Sequence, residues 1–408
     1  MERAISLLGL FVMIGLAWLM SSHKRKINLR IVVAGLLLQF VLALLILKTV
    51  PGRYVFRRIG DFFNAVMNSV DAGSSMVFGE NFSDFYFAFK VLPTIIFFSS
   101  LMAVLYHLGI VQKVVRGCAF VMQRTLRTSG AESLAAAANI FVGQTEAPLV
   151  IRPYISQMTN SELMAVMVGG FATIAGGVLA AFVGLGIDAG HLVTASVISA
   201  PAALLIAKVI MPETEVSKTM GTVQIDVERK CVNVIEAAAT GATDGLKLAL
   251  NVAAMLIAFL AMIALFDAAI GLAGTQFGYD GDQKWTLATI LGYLFYPLAW
   301  VMGIEKGDCY YAGQLLGLKM AANEFVAYKE LAGFMQKDSG VGLSPRSIQI
   351  LTYALCGFAN FGSIGIQIGG IGGIAPDRRG DLARLGFRAM LGGTLAAFMT
   401  ACIAGILI

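Results

Sequence analysis

The sequence predicts an all-α polytopic membrane protein with eight transmembrane helices, two re-entrant helical hairpins, interfacial helices and an inverted repeat. Three observations carry this. The first is composition: 58% of the 408 residues are hydrophobic and 13% charged, against about 25% charged in soluble domains, and the mean hydropathy is +0.78. Several stretches reach the roughly 20 apolar residues that cross a bilayer, and the short alternating segments of a membrane β-barrel are missing. The second is Gly143-Gln144-Thr145-Glu146-Ala147-Pro148, a polar cluster in apolar surroundings. Such a cluster at bilayer depth is costly and is retained mainly where it binds something. The third is a pair of glycine-interrupted apolar segments, one in each half of the chain.

Charge and rare residues narrow the function classes. The net charge of +5 reflects basic loops, since no dense Lys/Arg block with interleaved aromatics suggests nucleic-acid binding. Cys118, Cys231, Cys309, Cys356 and Cys402 are dispersed and read as packing residues; His23, His107 and His191 are isolated and do not suggest a metal centre.

In chain order, Ala4 to Met20 is the first span, retained in the membrane because His23-Lys24-Arg25-Lys26 follows it and holds that side in the cytoplasm. Ile31 to Leu47 returns. From Pro51 to Lys90, Arg53, Arg57 and Arg58 lie among Phe56, Phe62, Phe63 and Met67, which suggests interfacial amphipathic helices. Val91 to Val111 is a third span, and Val114 to Thr128, with Arg116, Arg124 and Arg127, is another interfacial helix. Next comes a hairpin: Asn139 to Val142 ends a helix, Gly143 suits the left-handed position that closes one, and Pro148 suits the first turn of the next. Leu163 to Ile187 is a span broken near Thr173, Leu192 to Met211 an unbroken one. Residues 213 to 246, with Glu213, Glu215, Lys218, Asp226, Glu228, Arg229, Lys230 and Glu236, form a cytoplasmic linker or amphipathic helix.

The second half repeats the plan. Leu248 to Leu272 spans; Trp285 to Ile304 is apolar and aromatic; Asp308 to Tyr328 is a hairpin with Asn323-Glu324 at its tip; Leu351 to Ile374 is broken by glycine; Leu385 to Ile408 is the last span. Gly170-Phe171-Ala172-Thr173-Ile174 corresponds to Gly357-Phe358-Ala359-Asn360-Phe361. Placing Trp285 to Ile304 along the interface keeps Arg378, Arg379, Arg384 and Arg388 cytoplasmic, so the repeats are inverted. Paired interrupted helices of this kind point to a transporter's binding site.

Four motifs then show a family resemblance. Gly143-Gln144-Thr145-Glu146-Ala147-Pro148, Asn233-Val234-Ile235-Glu236-Ala237-Ala238-Ala239-Thr240-Gly241-Ala242, Asn323-Glu324-Phe325-Val326-Ala327-Tyr328 and Cys356-Gly357-Phe358-Ala359-Asn360-Phe361-Gly362-Ser363 together resemble the concentrative nucleoside transporters, in a bacterial member's length. The resemblance implies a homotrimer in the inner membrane, whose mobile domain moves as an elevator past a fixed scaffold. It suggests residues 1–111 as mainly scaffold, 112–211 as the first repeat, 212–284 as linker and scaffold helix, and 285–408 as the second repeat.

The chemistry of a nucleoside such as uridine fits the same residues. Ribose hydroxyls suit a carboxylate with amide and hydroxyl partners, supplied by Glu324, Asn360 and Ser363. A nucleobase suits Gln144, Thr145 and Glu146 at its edge and Val178 with Phe358 at its face. For Na⁺ as coupling ion, Asn139, Val142, Thr173 and Ile174 offer side-chain and carbonyl oxygens at helix ends. The structural alternatives are ion pairs of Glu146 or Glu324 with Arg152 or Lys319, and a bond from Thr173 to its own helix. Proton coupling through Glu146 or Glu324, a membrane-embedded enzyme and a channel are the competing functions. No grouped nucleophile, His or metal cluster favours the enzyme, and broken inverted repeats suit alternating access better than a filter.

Overall fold

The computed structural model describes residues 1–85, 87–220, 231–276, 285–336 and 340–408, and among these there is no β-strand. The first two spans are α1 (Glu2–Leu19) and α2 (Leu29–Lys48), joined by a short basic turn, Lys24–Lys26. One helix, α3 (Val50–Phe78), fills most of the stretch expected to hold several; Thr49 caps it by accepting from Gly52 N at 3.0 Å. A π-helical turn leads into α4 (Leu92–His107). Gly109, at φ +75°, turns the chain into α5 (Ile110–Leu126), so Val111 opens the interfacial helix rather than ending the span.

The first hairpin descends through α6 (Gly130–Ala138) and returns through a 3-10 helix, Ala147–Gln157. A capping box of Ser129 and Glu132 starts α6, and a second box of Thr159 and Glu162 starts α7 (Asn160–Ala172). After the break come α8 (Gly176–Gly184) and the unbroken α9 (Ala189–Ile210). Lys208 near the end of α9 locks this region together: its Nζ lies 2.7 Å from Glu132 Oε2 and donates to Ser161 Oγ at 2.9 Å. Both partners are buried, so each charge depends on the other.

Part of the expected linker becomes the start of α10 (Val234–Thr275), a 42-residue helix capped by Asn233. At 1.5 Å per residue it is about 63 Å long, twice what a bilayer core needs. Asp226, Glu228, Arg229 and Lys230 of that linker lie outside the described residues. The second half of the chain comprises α11 (Leu287–Val301), the hairpin α12 (Cys309–Ala321) and α13 (Glu324–Phe334), the broken pair α14 (Pro345–Ala354) and α15 (Phe361–Ile374), and α16 (Arg379–Leu407). The 15 residues of α11 reach only about 22 Å, short of the roughly 30 Å hydrocarbon core. Seven helical stretches among the described residues are long and apolar enough to cross, and the expected broken span Leu351 to Ile374 falls on α14 and the shorter apolar helix α15.

The core lies where α7, α9 and α16 meet, and these helices are buried along most of their length. α2 and α10 instead present apolar side chains outward. Glycines permit the closest crossings. A Cβ on Gly241 of α10 would lie 2.5 Å from Ala103 of α4, beside the bond from Ser100 Oγ to the Ala238 carbonyl at 2.8 Å. In the second repeat, a Cβ on Gly313 would lie 2.3 Å from the Gly292 carbonyl, which accounts for the small residues spaced along α12.

The two helix breaks touch. Gly357 has φ +106°, and a Cβ there would sit 2.5 Å from the Phe171 carbonyl oxygen at the end of α7. The corresponding motifs therefore break at different places. Gly170 is still helical while Gly357 lies in the break, and Thr173 ends α7 while Asn360 starts α15.

Candidate functional site

At the first tip, the alanine-rich α6 ends at Ala138 and a tight turn follows. Gly143 does not take the expected left-handed conformation. Space, not backbone sign, requires glycine here: a Cβ would lie 2.3 Å from Glu146 Oε2, because the carboxylate folds back over the turn. Pro148 does open the returning segment, but that segment is a 3-10 helix.

At the second tip, Asn323 caps α13 by accepting from Val326 N at 2.9 Å, which leaves Glu324 in the first turn. A carboxylate is favoured there by the unpaired amides of the helix start. Glu324 is buried, and its Oε2 accepts from Asn360 Nδ2 at 3.0 Å. Asn360 in turn caps α15, its Oδ1 accepting from Ser363 N at 2.9 Å.

From Ser363 the network crosses to the other repeat. Ser363 Oγ accepts from Gln144 Nε2 at 3.2 Å. Gln144 Oε1 accepts from Gln367 Nε2 at 3.0 Å, and the same nitrogen donates to the Met167 carbonyl at 3.0 Å. One run of side chains thus joins both hairpin tips and both broken helices. Gln367 was missed in the sequence, although Asn360, Ser363 and Gln367 stand at the spacing of one helical face.

Other expected base-contacting residues lie outside this run of bonds. Glu146 is exposed, and Thr145 is half-buried with its Cγ2 against Gly370. Val178 is buried on α8, and Phe358 is half-buried within the second break. Neither carboxylate has the ion pair considered from sequence. Lys319, fully buried, donates to the carbonyls of Ala354 at 2.9 Å and Cys356 at 3.0 Å, closing the end of α14. Among the described residues, no cation lies within ion-pair distance of Glu324 or Glu146, and Arg152 pairs with neither.

The four ion-site residues come from two adjoining segments. Gly176 N donates to the Phe141 carbonyl at 3.3 Å, tying the turn that holds Asn139 and Val142 to the break that holds Thr173 and Ile174. Asn139 lies over α7, where a Cβ on Gly169 would be 3.2 Å from its Nδ2. Its side chain is buried, yet neither Oδ1 nor Nδ2 has a hydrogen-bond partner. An unmade bond at a buried amide costs about 1–3 kcal/mol. Thr173 Oγ1 does donate to its own helix, to the Gly169 carbonyl at 2.9 Å, but its lone pairs stay available.

Comparison with known proteins identifies the family. Family models described as Na⁺ dependent nucleoside transporter N-terminus and C-terminus match residues 8–81 and 191–405, and one described as nucleoside recognition, Gate, matches residues 88–188. An uncharacterized transporter of Haemophilus influenzae is 49% identical over 99% of this chain and 97% of its own. Solute carrier family 28 member 3 of Eptatretus stoutii is 46% identical over all of this chain, which spans 61% of that relative's length. The solved structure of CNTnw in an inward-facing substrate-bound state superposes with a TM-score of 0.92 at 44% identity, covering all of this chain and 98% of that one. These relatives are transporters rather than enzymes. The chain is thus a multi-pass membrane protein of the Na⁺-dependent nucleoside transporter family.

Proposed function

We propose that the chain is a sodium-coupled symporter that imports nucleosides across a bacterial inner membrane by elevator-type alternating access. The single observation that carries this reading is the run Glu324–Asn360–Ser363–Gln144–Gln367, because it gathers acceptors and donors from both hairpins and from the helix that follows the second break. Polar groups that satisfy one another when empty exchange those bonds for bonds to substrate, so binding leaves few of them unpaired. Glu324, Asn360 and Ser363 take the ribose hydroxyls. Gln144, Thr145 and Glu146 take the base edge, with Val178 and Phe358 at its face.

Sodium is a co-substrate. Asn139 Oδ1, the Thr173 hydroxyl and the Val142 and Ile174 carbonyls are its proposed ligands. The unpartnered amide of Asn139 supports this set, since a hard cation supplies what the protein does not. Binding there fixes the first hairpin against α7 and holds Gln144 where the nucleoside meets it. The loaded block, residues 112–211 and 285–408, then moves past a scaffold drawn mainly from residues 1–111 and α10. Solved relatives in inward- and outward-facing states support alternating access. A homotrimer supplies the fixed frame.

The test is uridine uptake into proteoliposomes. An inward Na⁺ gradient should drive accumulation, and Asn139→Ala should abolish its sodium dependence at physiological Na⁺. Accumulation driven only by an inward proton gradient would retain the nucleoside and discard the sodium site.

A further inference from the structure

Far from the tips, a cavity of about 460 Å³ lies between the start of α2 and the end of α5, lined by Arg30, Phe120, Gln123, Arg124 and Arg127. Three arginines, all of them exposed, line this space. Among the described residues, none of the three makes an ion pair or a side-chain hydrogen bond to protein. Like charges gathered in one place repel one another, and an anion reduces that repulsion. The basic turn Lys24–Lys26 just before α2 adds to the same field.

The surroundings identify the anion. α5 is an amphipathic helix that buries Val111, Val115, Met122 and Leu126, while Phe120, at 68% exposure, lines the cavity and its neighbour in sequence, Val121, is exposed. On α2, Val33, Leu37, Val41 and Leu44 are exposed and follow Arg30 at helical spacing on one face. That stripe runs about 21 Å from the cavity, farther than half of the roughly 30 Å hydrocarbon core. A cationic pocket at one end of an apolar track matches a molecule with a phosphate head and an acyl tail. The basic-loop argument puts this end of α2 in the cytoplasm, where anionic lipid headgroups meet basic pockets between helices.

We infer that this cavity holds the phosphate of an anionic phospholipid, with Arg30, Arg124 and Arg127 around the headgroup and an acyl chain along the exposed face of α2. Guanidinium forks suit phosphate oxygens in pairs, which distinguishes the pocket from a diffuse basic surface. The site is independent of the transport reading, and its test measures binding rather than uptake.

The purified full-length protein is titrated with phosphatidylglycerol, phosphatidylcholine and inorganic phosphate, and bound lipid is counted by native mass spectrometry. Phosphatidylglycerol should bind at least tenfold tighter than phosphatidylcholine. The combined variant Arg30→Gln, Arg124→Gln, Arg127→Gln should lose about 100-fold, while Arg53→Gln with Arg57→Gln on α3 should lose nothing. Arg124→Lys, which keeps the charge but not the fork, should fall between. Melting temperatures are read alongside, and the single variants Arg30→Gln and Arg124→Gln serve if the combined one does not fold. Equal affinity of wild type and the cavity variants for phosphatidylglycerol overturns the proposal. So does displacement of the lipid by millimolar inorganic phosphate, which would make the occupant a free ion.

Discussion

The amide of Asn360 faces two ways: its nitrogen donates to Glu324 Oε2 at 3.0 Å, and its oxygen caps Ser363 N at 2.9 Å. The residue that starts α15 therefore also orients the carboxylate of the second hairpin. Replacing Glu324 by Gln keeps its size but puts a neutral amide against the Asn360 Nδ2 donor. Hydrogen bonds to charged groups contribute about 1.5–3 kcal/mol, so uridine uptake should fall about 10- to 100-fold. Uptake by Glu324→Gln at the wild-type rate in proteoliposomes would remove the carboxylate from ribose recognition.

Gln367 gives a second prediction. Its Nε2 is shared by Gln144 Oε1 and the Met167 carbonyl, and truncation to Ala leaves both acceptors in a buried place. The rotamer of Gln144 is then no longer held across the repeats. Nucleoside KM should rise about fivefold to tenfold, a loss of about 1–1.5 kcal/mol, with Na⁺ dependence unchanged. A KM equal to wild type in a concentration series would show that Gln144 is held some other way.

Gly357 gives a third. Its φ of +106° is outside the range side chains adopt readily, and a Cβ would press within 2.5 Å of the Phe171 carbonyl. Gly357→Ala should destabilise the protein by about 2 kcal/mol or more, from strain of about 1–2 kcal/mol plus displacement of packed backbone. Thermal unfolding in detergent measures this. Gly373→Ala, at a helical glycine with open space around it, is the matched control and should unfold near the wild-type temperature.

Legibility differed from element to element for physical reasons. The break at Thr173 was readable because an apolar run interrupted by glycines cannot remain one helix without a cause, and α7 does end at Ala172. The second tip was readable because Asn323 and Glu324 are polar where their neighbours are not. The role of Gly143 was not, since its crowding comes from Glu146, a side-chain fold rather than a backbone preference. Likewise Lys319 lies five residues before Glu324, yet its bonds run to Ala354 and Cys356, a choice that depends on how α12 meets the end of α14.

By itself, the sequence determined the membrane class, the spans, the polar tips and the repeat, because cost in hydrocarbon and helical period are local properties of a chain. Tertiary structure alone decided that the two breaks touch at Gly357 and Phe171, that Gln367 completes the polar run, and that Asn139 has no partner. The first two are contacts between residues far apart in the chain, and the third depends on what packing brings to Asn139. Local sequence sets which polar groups each helix offers; only packing sets which of them meet.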